Sequence, residues 1–458
     1  MFSHTFINIA LKPEENTPQA EASPLEIPAA NAPAGLILIL IVILPFALGY
    51  FLSYLFRSTN AIIAPQLISE IGLDASDLGF LTAMYFLTFS LFQLPLGILL
   101  DRYGPRRVQT FLLFFAALGA FLFAHSDTIQ ELAASRGLIG LGVAGCLMAS
   151  IKASTLWFDE KYWPAINGTF LAAGGLGAVA ATTPLEIALT YIDWRTIFIV
   201  LAALTIVVAL LIFSIVPEKK KSNSFPTLKK QVLELGIIYR NSEFWKCAPL
   251  ISASLGTNMA IQGLWAGPWL KDIAEFDRDV VANYLLWLAI ALSVGSLATG
   301  VIASWLERFG LSLAKFFGLS TILFIGCQII ITFEIIPGSI GPWIIFGLFA
   351  NAAMLAVAHL TRYFKRDLSG RVITGVNVFV FGSVFLIQYL IGKIISIFPM
   401  NENGEYASEA YFAAFGAVIL IQSITFIWFI LPIRRCLLYT SDAADEGLGV
   451  DLGGRRII

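Results

Sequence analysis

Two arginines sit where the surrounding sequence is almost wholly apolar: Arg57 inside the run Leu36–Ala64 and Arg136 inside Ile129–Leu156. Ionisable residues in such runs are costly to bury and mark function by default. Each lies about eight residues inside the end of its run expected on the outer side of the membrane, and at 1.5 Å of helical rise per residue that is roughly 12 Å deep. Two guanidiniums at one level form a fork for a carboxylate, a phosphate or another oxyanion, because each presents its N–H donors in a plane. The competing reading for both is a long side chain that snorkels to an interface or caps backbone carbonyls. Around them the apolar runs offer Tyr85, Gln262, Trp265 and Asn377 as uncharged polar or aromatic contacts, each of which could equally be a packing or interhelical hydrogen-bond residue. Glu186 is the one carboxylate deep enough to carry a proton.

The elements that position these groups follow from composition. Of 458 residues 58% are hydrophobic and 13% charged, with 29 Lys and Arg against 31 Asp and Glu for a net charge of −2. Soluble domains carry about 25% charged residues, so most of this chain is solvated by lipid, and the near-neutral balance excludes a nucleic-acid partner. A bilayer core about 30 Å thick takes roughly 20 apolar residues per helix. Twelve such runs are present: Leu36–Ala64, Leu78–Leu100, Val108–Ala124, Ile129–Leu156, Trp163–Tyr191, Ile197–Val216, Phe244–Leu270, Val280–Trp305, Leu313–Phe333, Pro342–Leu360, Val372–Phe398 and Tyr411–Leu431. None alternates as barrel strands do, so the expected fold is all-α with twelve transmembrane helices.

Basic residues concentrate in the loops on one side (Arg102, Arg106, Arg107, Lys161, Lys219–Lys221 and Arg362–Arg371 among them), whereas the other side holds Arg195, Lys271, Arg278 and Lys393. This bias predicts both termini in the cytoplasm. The polar stretch 217–243 divides the chain into six-helix units at 34–216 and 244–435. These units echo each other. Asp101-Arg102-Tyr103-Gly104 recurs as Glu307-Arg308-Phe309-Gly310, and Trp157-Phe158 as Tyr363-Phe364 at the same offset, as expected of a parallel repeat around a midplane site. Residues 1–33, rich in Pro, Ala and Glu, predict a disordered cytoplasmic tail rather than a signal peptide. Residues 436–458 (CLLYTSDAADEGLGVDLGGRRII) break every preceding trend and resemble the conceptual translation of a sequencing-library adapter; they are expected to be non-native and unstructured. The four scattered cysteines predict neither a disulfide framework nor a zinc site.

The loop Gly97-Ile-Leu-Leu-Asp101-Arg102-Tyr103-Gly104-Pro105-Arg106-Arg107, with Arg136-Gly137-Leu-Ile-Gly140-Leu-Gly142 in the fourth run, resembles the two signature motifs of the major facilitator superfamily, and the resemblance covers residues 35–435. It implies two six-helix bundles rocking about a central site. It also implies a conformational latch at Gly97, Asp101, Arg102, Gly104 and Arg106, echoed by Glu307 and Arg308.

The stretch from Gly49 through Tyr50, Tyr54, Arg57 and Asn60 to Pro65 is similar to the first span of the organophosphate antiporters and organic-anion symporters, in which the matching Arg binds the anion. The sequence departs from both groups. No Arg stands in the seventh run for phosphate-ester exchange, and Phe56 and Val143 occupy the places of the symporters' acids. Ala172-Ala-Gly174-Gly175-Leu-Gly177 resembles the nitrate carriers' fifth span, but runs two and eight lack their arginines.

The expected function is thus secondary transport of a small organic anion or zwitterion across a bacterial-type inner membrane by a monomer, without cofactor or metal, the coupling partner left open between a proton and a counter-anion. The alternatives are a dipeptide- or amino-acid-type or nitrate-type carrier, and, from a different class, a non-transporting sensor of the same fold. No nucleophile–base pair, phosphate loop or metal cluster argues for an enzyme.

Overall fold

The computed structural model describes residues 37–218, 228–310, 312–336, 338–365, 368–401 and 404–431. The expected tail 1–33, the segment 436–458 and residues 219–227 of the linker lie outside the described residues. Apart from one isolated antiparallel bridge between Met400 and Tyr406, regular structure there is helical.

The first half comprises α1 (Leu44–Ile71), led in by a π-helical turn at Ile39–Ile43, then α2 (Ala75–Ala124), α3 (Ile129–Val143), α4 (Cys146–Trp157), α5 (Trp163–Ala180), α6 (Thr183–Leu189) and α7 (Trp194–Ile215). A linker helix α8 (Leu228–Tyr239) follows. The second half comprises α9 (Ser242–Ala260), a π turn at Ile261–Trp265, α10 (Ala266–Asp272), α11 (Arg278–Glu307), α12 (Leu313–Thr332), α13 (Gly341–Phe349), α14 (Met354–Tyr363), α15 (Ser369–Ile395) and α16 (Ser408–Ile430).

Among the described residues ten helices are long and apolar enough to cross a membrane, against twelve expected runs. Two features account for the difference. The 50-residue α2 carries expected runs two and three in one assignment, bent where Gly104 adopts φ 78° and ψ 161°, a region essentially reserved for glycine. The expected seventh run, Phe244–Leu270, which the structure carries on the helical stretch Ser242–Asp272, is not among the ten. Its Ser252, Ser254, Thr257, Asn258 and Gln262 are buried, so it faces protein rather than lipid and dispenses with an apolar exterior. By contrast α7 presents Val200, Leu204, Val207 and Leu210 outward, as a lipid-facing helix does.

α1 also runs on to Ile71, past the expected end at Ala64, which leaves Arg57 near the middle of the helix. Asp74 caps α2, accepting from the Asp77 N–H at 2.7 Å, and Gly72 closes α1 in a left-handed turn.

The halves meet along three seams: α2 against α15, α5 against α11, and α1 against the Ile261–Trp265 turn. The repeat exchanges the first two seams and maps the third onto itself. It holds at the backbone too, since Gly310, the counterpart of Gly104, has φ 81°.

Within the first half the motif glycines of α3 allow contact that no side chain would. A Cβ at Gly140 would fall 2.1 Å from the Tyr85 carbonyl oxygen, and one at Gly142 2.2 Å from the Ala116 nitrogen. Gly142→Val should therefore lower the melting temperature measured in detergent, an overpacking cost of about 1–3 kcal/mol. Gly416→Ala, in open space, should leave it unchanged.

Candidate functional site

Tyr50, Tyr54 and Arg57 share one face of α1 through i, i+4 and i+7 spacing. The Arg57 guanidinium carbon lies 4.4 Å from the centroid of the Tyr54 ring and 5.9 Å from that of Phe381 on α15. Tyr50, Tyr54 and Tyr85 are near enough to act on its charge, yet its Nε has no hydrogen-bond partner, and no carboxylate pairs with it among the described residues. Arg57 is 6% exposed. A buried cation faced by aromatic rings and left without a counter-charge has the chemistry to hold an anion.

The aromatic wall is continuous. Phe381 lies 4.1 Å from Phe89, which stacks on Tyr85 at 6.2 Å, and the Tyr85 hydroxyl donates to the Ser53 carbonyl at 3.3 Å. Gly174 on α5 makes room for it: a Cβ there would lie 2.7 Å from the Tyr50 ring and 2.9 Å from Tyr54. The Gly-rich fifth run thus packs rings beside Arg57, as small residues in membranes generally permit close approach.

Arg136 stands in a different setting. It is 1% exposed, its guanidinium carbon lies 4.7 Å from the Phe123 ring and 5.2 Å from Phe198, and Nη1 donates to the Phe56 carbonyl at 2.9 Å. Nη1 thus caps a carbonyl of α1 at the residue before Arg57, while Nε and Nη2 are buried without hydrogen-bond partners.

The remaining candidates bridge the halves. Gln262 donates to Ser58 Oγ at 3.2 Å, directly after Arg57, and Asn377 donates to Gln93 Oε1 at 3.5 Å. Trp265 Nε1 donates at 3.3 Å to the Gln388 amide oxygen. Its indole rests against Gly79 and Gly392, where α2 and α15 touch; a Cβ at Gly392 would be 2.5 Å from the Ala75 carbonyl oxygen.

Beyond this contact a cavity of about 830 Å³ opens between the halves, lined among others by Ala61, Pro65, Glu186, Trp265, Asp272 and Tyr411. Glu186 Oε1 pairs with Arg278 Nε at 2.8 Å across the α6–α11 seam, and Tyr406 Oη accepts from the Ala75 N–H at 3.2 Å. Asp272 accepts from Tyr411 Oη at 2.7 Å; burial pushes its carboxyl above the usual carboxylate range, against the lowering effect of that hydroxyl.

On the opposite face Asp101 joins three elements. Oδ1 pairs with Lys152 Nζ of α4 at 2.8 Å and Oδ2 with Arg371 Nη2 of α15 at 3.5 Å, while Arg371 Nε reaches Glu234 of linker helix α8 at 3.2 Å. A Cβ on Gly97 would sit 3.3 Å from Arg371 Nη1. The other motif residues stay within their own halves. Arg102 lies over the Tyr103 ring at 5.3 Å, Arg106 donates to the Phe213 carbonyl, and Glu307 pairs with Arg362 at 2.7 Å.

Lys152, Arg371, Glu234 and Arg278 were not singled out by sequence reasoning. No spacing rule connects Asp101 to Lys152 or Arg371.

The profile of the Major Facilitator Superfamily matches residues 46–386. The chain is 26% identical over 349 residues to the hexuronate transporter of Escherichia coli K12, covering 71% of this chain and 77% of that one. It is 24% identical over 301 residues to a probable sulfoacetate transporter of Cupriavidus necator, covering 61% and 67%. Among solved structures, a bacterial homologue of the human lysosomal transporter Spinster, inward-facing and unoccupied, superposes with a TM-score of 0.69 at 16% identity, over 86% of this chain and 96% of that one.

Asp101→Asn removes the acceptor charge that Lys152 and Arg371 share. It should slow transport about tenfold, the scale of a small partly exposed ion-pair network, while substrate affinity measured by calorimetry stays within about twofold. Arg371→Gln should reproduce the effect, and wild-type kinetics in both variants would remove the latch assignment.

Proposed function

The chain belongs to the Major Facilitator Superfamily, and on that premise we propose that it carries a small organic anion by alternating access, with Arg57 as the anion ligand. It is a multi-pass membrane transporter and not an enzyme. The single observation that carries the reading is the Arg57 guanidinium: buried mid-helix, faced by Tyr54 and Phe381, and without a carboxylate partner among the described residues. Arg136 is assigned a positioning role through its bond to the Phe56 carbonyl.

One guanidinium suits a substrate with a single carboxylate, as in the sugar acid named for the hexuronate transporter, better than a dianion such as the sulfoacetate named for the other relative. The groups around it suit a polyhydroxylated body. Asn60 Oδ1 and Asn258 Oδ1 are buried acceptors without partners, one on the turn after Arg57 and one on the turn before Gln262. Hydroxyl donors on a sugar acid would satisfy both. A zwitterion would need a carboxylate opposite Arg57, whereas Glu186 is engaged with Arg278.

The twelve-span, N-in/C-in arrangement completes the proposal: the Asp101 face is cytoplasmic by its basic loops, the cavity beside Glu186 and Arg278 opens on the outer face, and the membrane is a bacterial inner membrane.

Uptake of a radiolabelled hexuronate into proteoliposomes tests the reading. Arg57→Lys should cut uptake by at least about tenfold and Arg57→Gln by about a hundredfold, because a point charge cannot replace a planar fork and a neutral amide leaves the anion uncompensated. Wild-type uptake in Arg57→Lys would exclude Arg57 as the anion ligand.

A further inference from the structure

We propose that Glu243, Cys247 and His359 form a binding site for a borderline-soft divalent cation of the zinc type at the Asp101 end of the second half. Glu243 and Cys247 are four residues apart on α9 and therefore share a face. His359 comes from α14, and its Nε2 lies 3.1 Å from Glu243 Oε1. The carboxylate oxygen, the thiol sulfur and the imidazole nitrogen all fall within 4.8 Å of one another.

Zinc bonds of about 2.0–2.3 Å hold tetrahedral ligands roughly 3.5 Å apart, so small side-chain rotations close the cluster around an ion. Its donor set of thiolate, imidazole and carboxylate selects zinc-like cations over magnesium or calcium.

The surroundings support a built site. Asn241 Oδ1 accepts the Glu243 N–H at 2.8 Å, fixing the start of α9 and with it the carboxylate. Cys247 is 1% exposed, whereas the Glu243 and His359 side chains are 26% and 32% exposed. The site therefore has a dry sulfur floor and an open mouth, through which an ion enters and a water completes the fourth position.

On binding, the Cys247 thiol gives its proton to solvent, and any proton held between His359 Nε2 and Glu243 Oε1 is displaced likewise. Thiolate and carboxylate together neutralise a dication. The ligands come from helices far apart in sequence, which is why cysteine spacing alone predicts no zinc site. Both helices belong to the second half, so the ion would stiffen that half without tying it to the first.

Titration of the full-length protein in detergent with Co²⁺ tests the site. The expected result is a thiolate-to-cobalt charge-transfer band in the near ultraviolet that saturates at about one equivalent, is abolished by Zn²⁺, and is accompanied by a rise in melting temperature. Cys247→Ser should remove the band, and His359→Gln should weaken binding by at least about tenfold. The pair guards against a variant that fails to fold. No band in the wild type, or a band that persists in Cys247→Ser, would overturn the proposal.

Discussion

A buried positive charge at the middle of a membrane helix, Arg57, constrains the elements around it. An arginine at the centre of a spanning helix costs about 2.5–3.5 kcal/mol on insertion scales, and Arg57 has no carboxylate among the described residues to offset it. What surrounds it is a partial substitute: the faces of Tyr54 and Phe381 within cation–π range and the oxygens of Tyr50 and Tyr85 nearby. Each supporting element answers to that placement. α5 gives up side chains at Gly174 so that the tyrosine rings fit, and Arg136 holds the preceding carbonyl.

The two halves contact each other at both ends of the seam, by different chemistry. Toward Glu186 the contact is largely backbone and small residues, Gly79 against Gly392 with Trp265 alongside, reinforced by the Glu186–Arg278 pair. Toward Asp101 it is an ion-pair network through Lys152, Arg371 and Glu234. Because Glu234 sits on the helix that joins the halves, the linker takes part in this network. Alternating access needs one set of contacts to loosen while the other holds, and sets of unlike chemistry give each end its own strength.

Much of this was legible in the chain. The apolar runs placed the helices, the repeat of Asp101–Gly104 at Glu307–Gly310 marked two related halves, and Arg57 stood out by its setting. Three things were not legible, each for a physical reason. The inward packing of the seventh run's polar residues is a tertiary matter that its hydropathy does not encode. The aromatic setting of Arg136 was hidden because depth along a helix says nothing about azimuth, and its side chain meets Phe123 and Phe198. The partners of Asp101 were missed because Lys152 and Arg371 reach it through tertiary contacts that no local spacing encodes.

The position of Arg57 has an electrical consequence. A mobile charge near mid-membrane feels the transmembrane potential, worth about 2.3 kcal/mol per elementary charge moved through 100 mV. With an anion seated on it, as proposed, the charge of Arg57 itself is offset and its reorientation contributes little to voltage dependence. The empty carrier keeps its cation, so membrane potential acts on the return stroke and sets which orientation the vacant protein prefers.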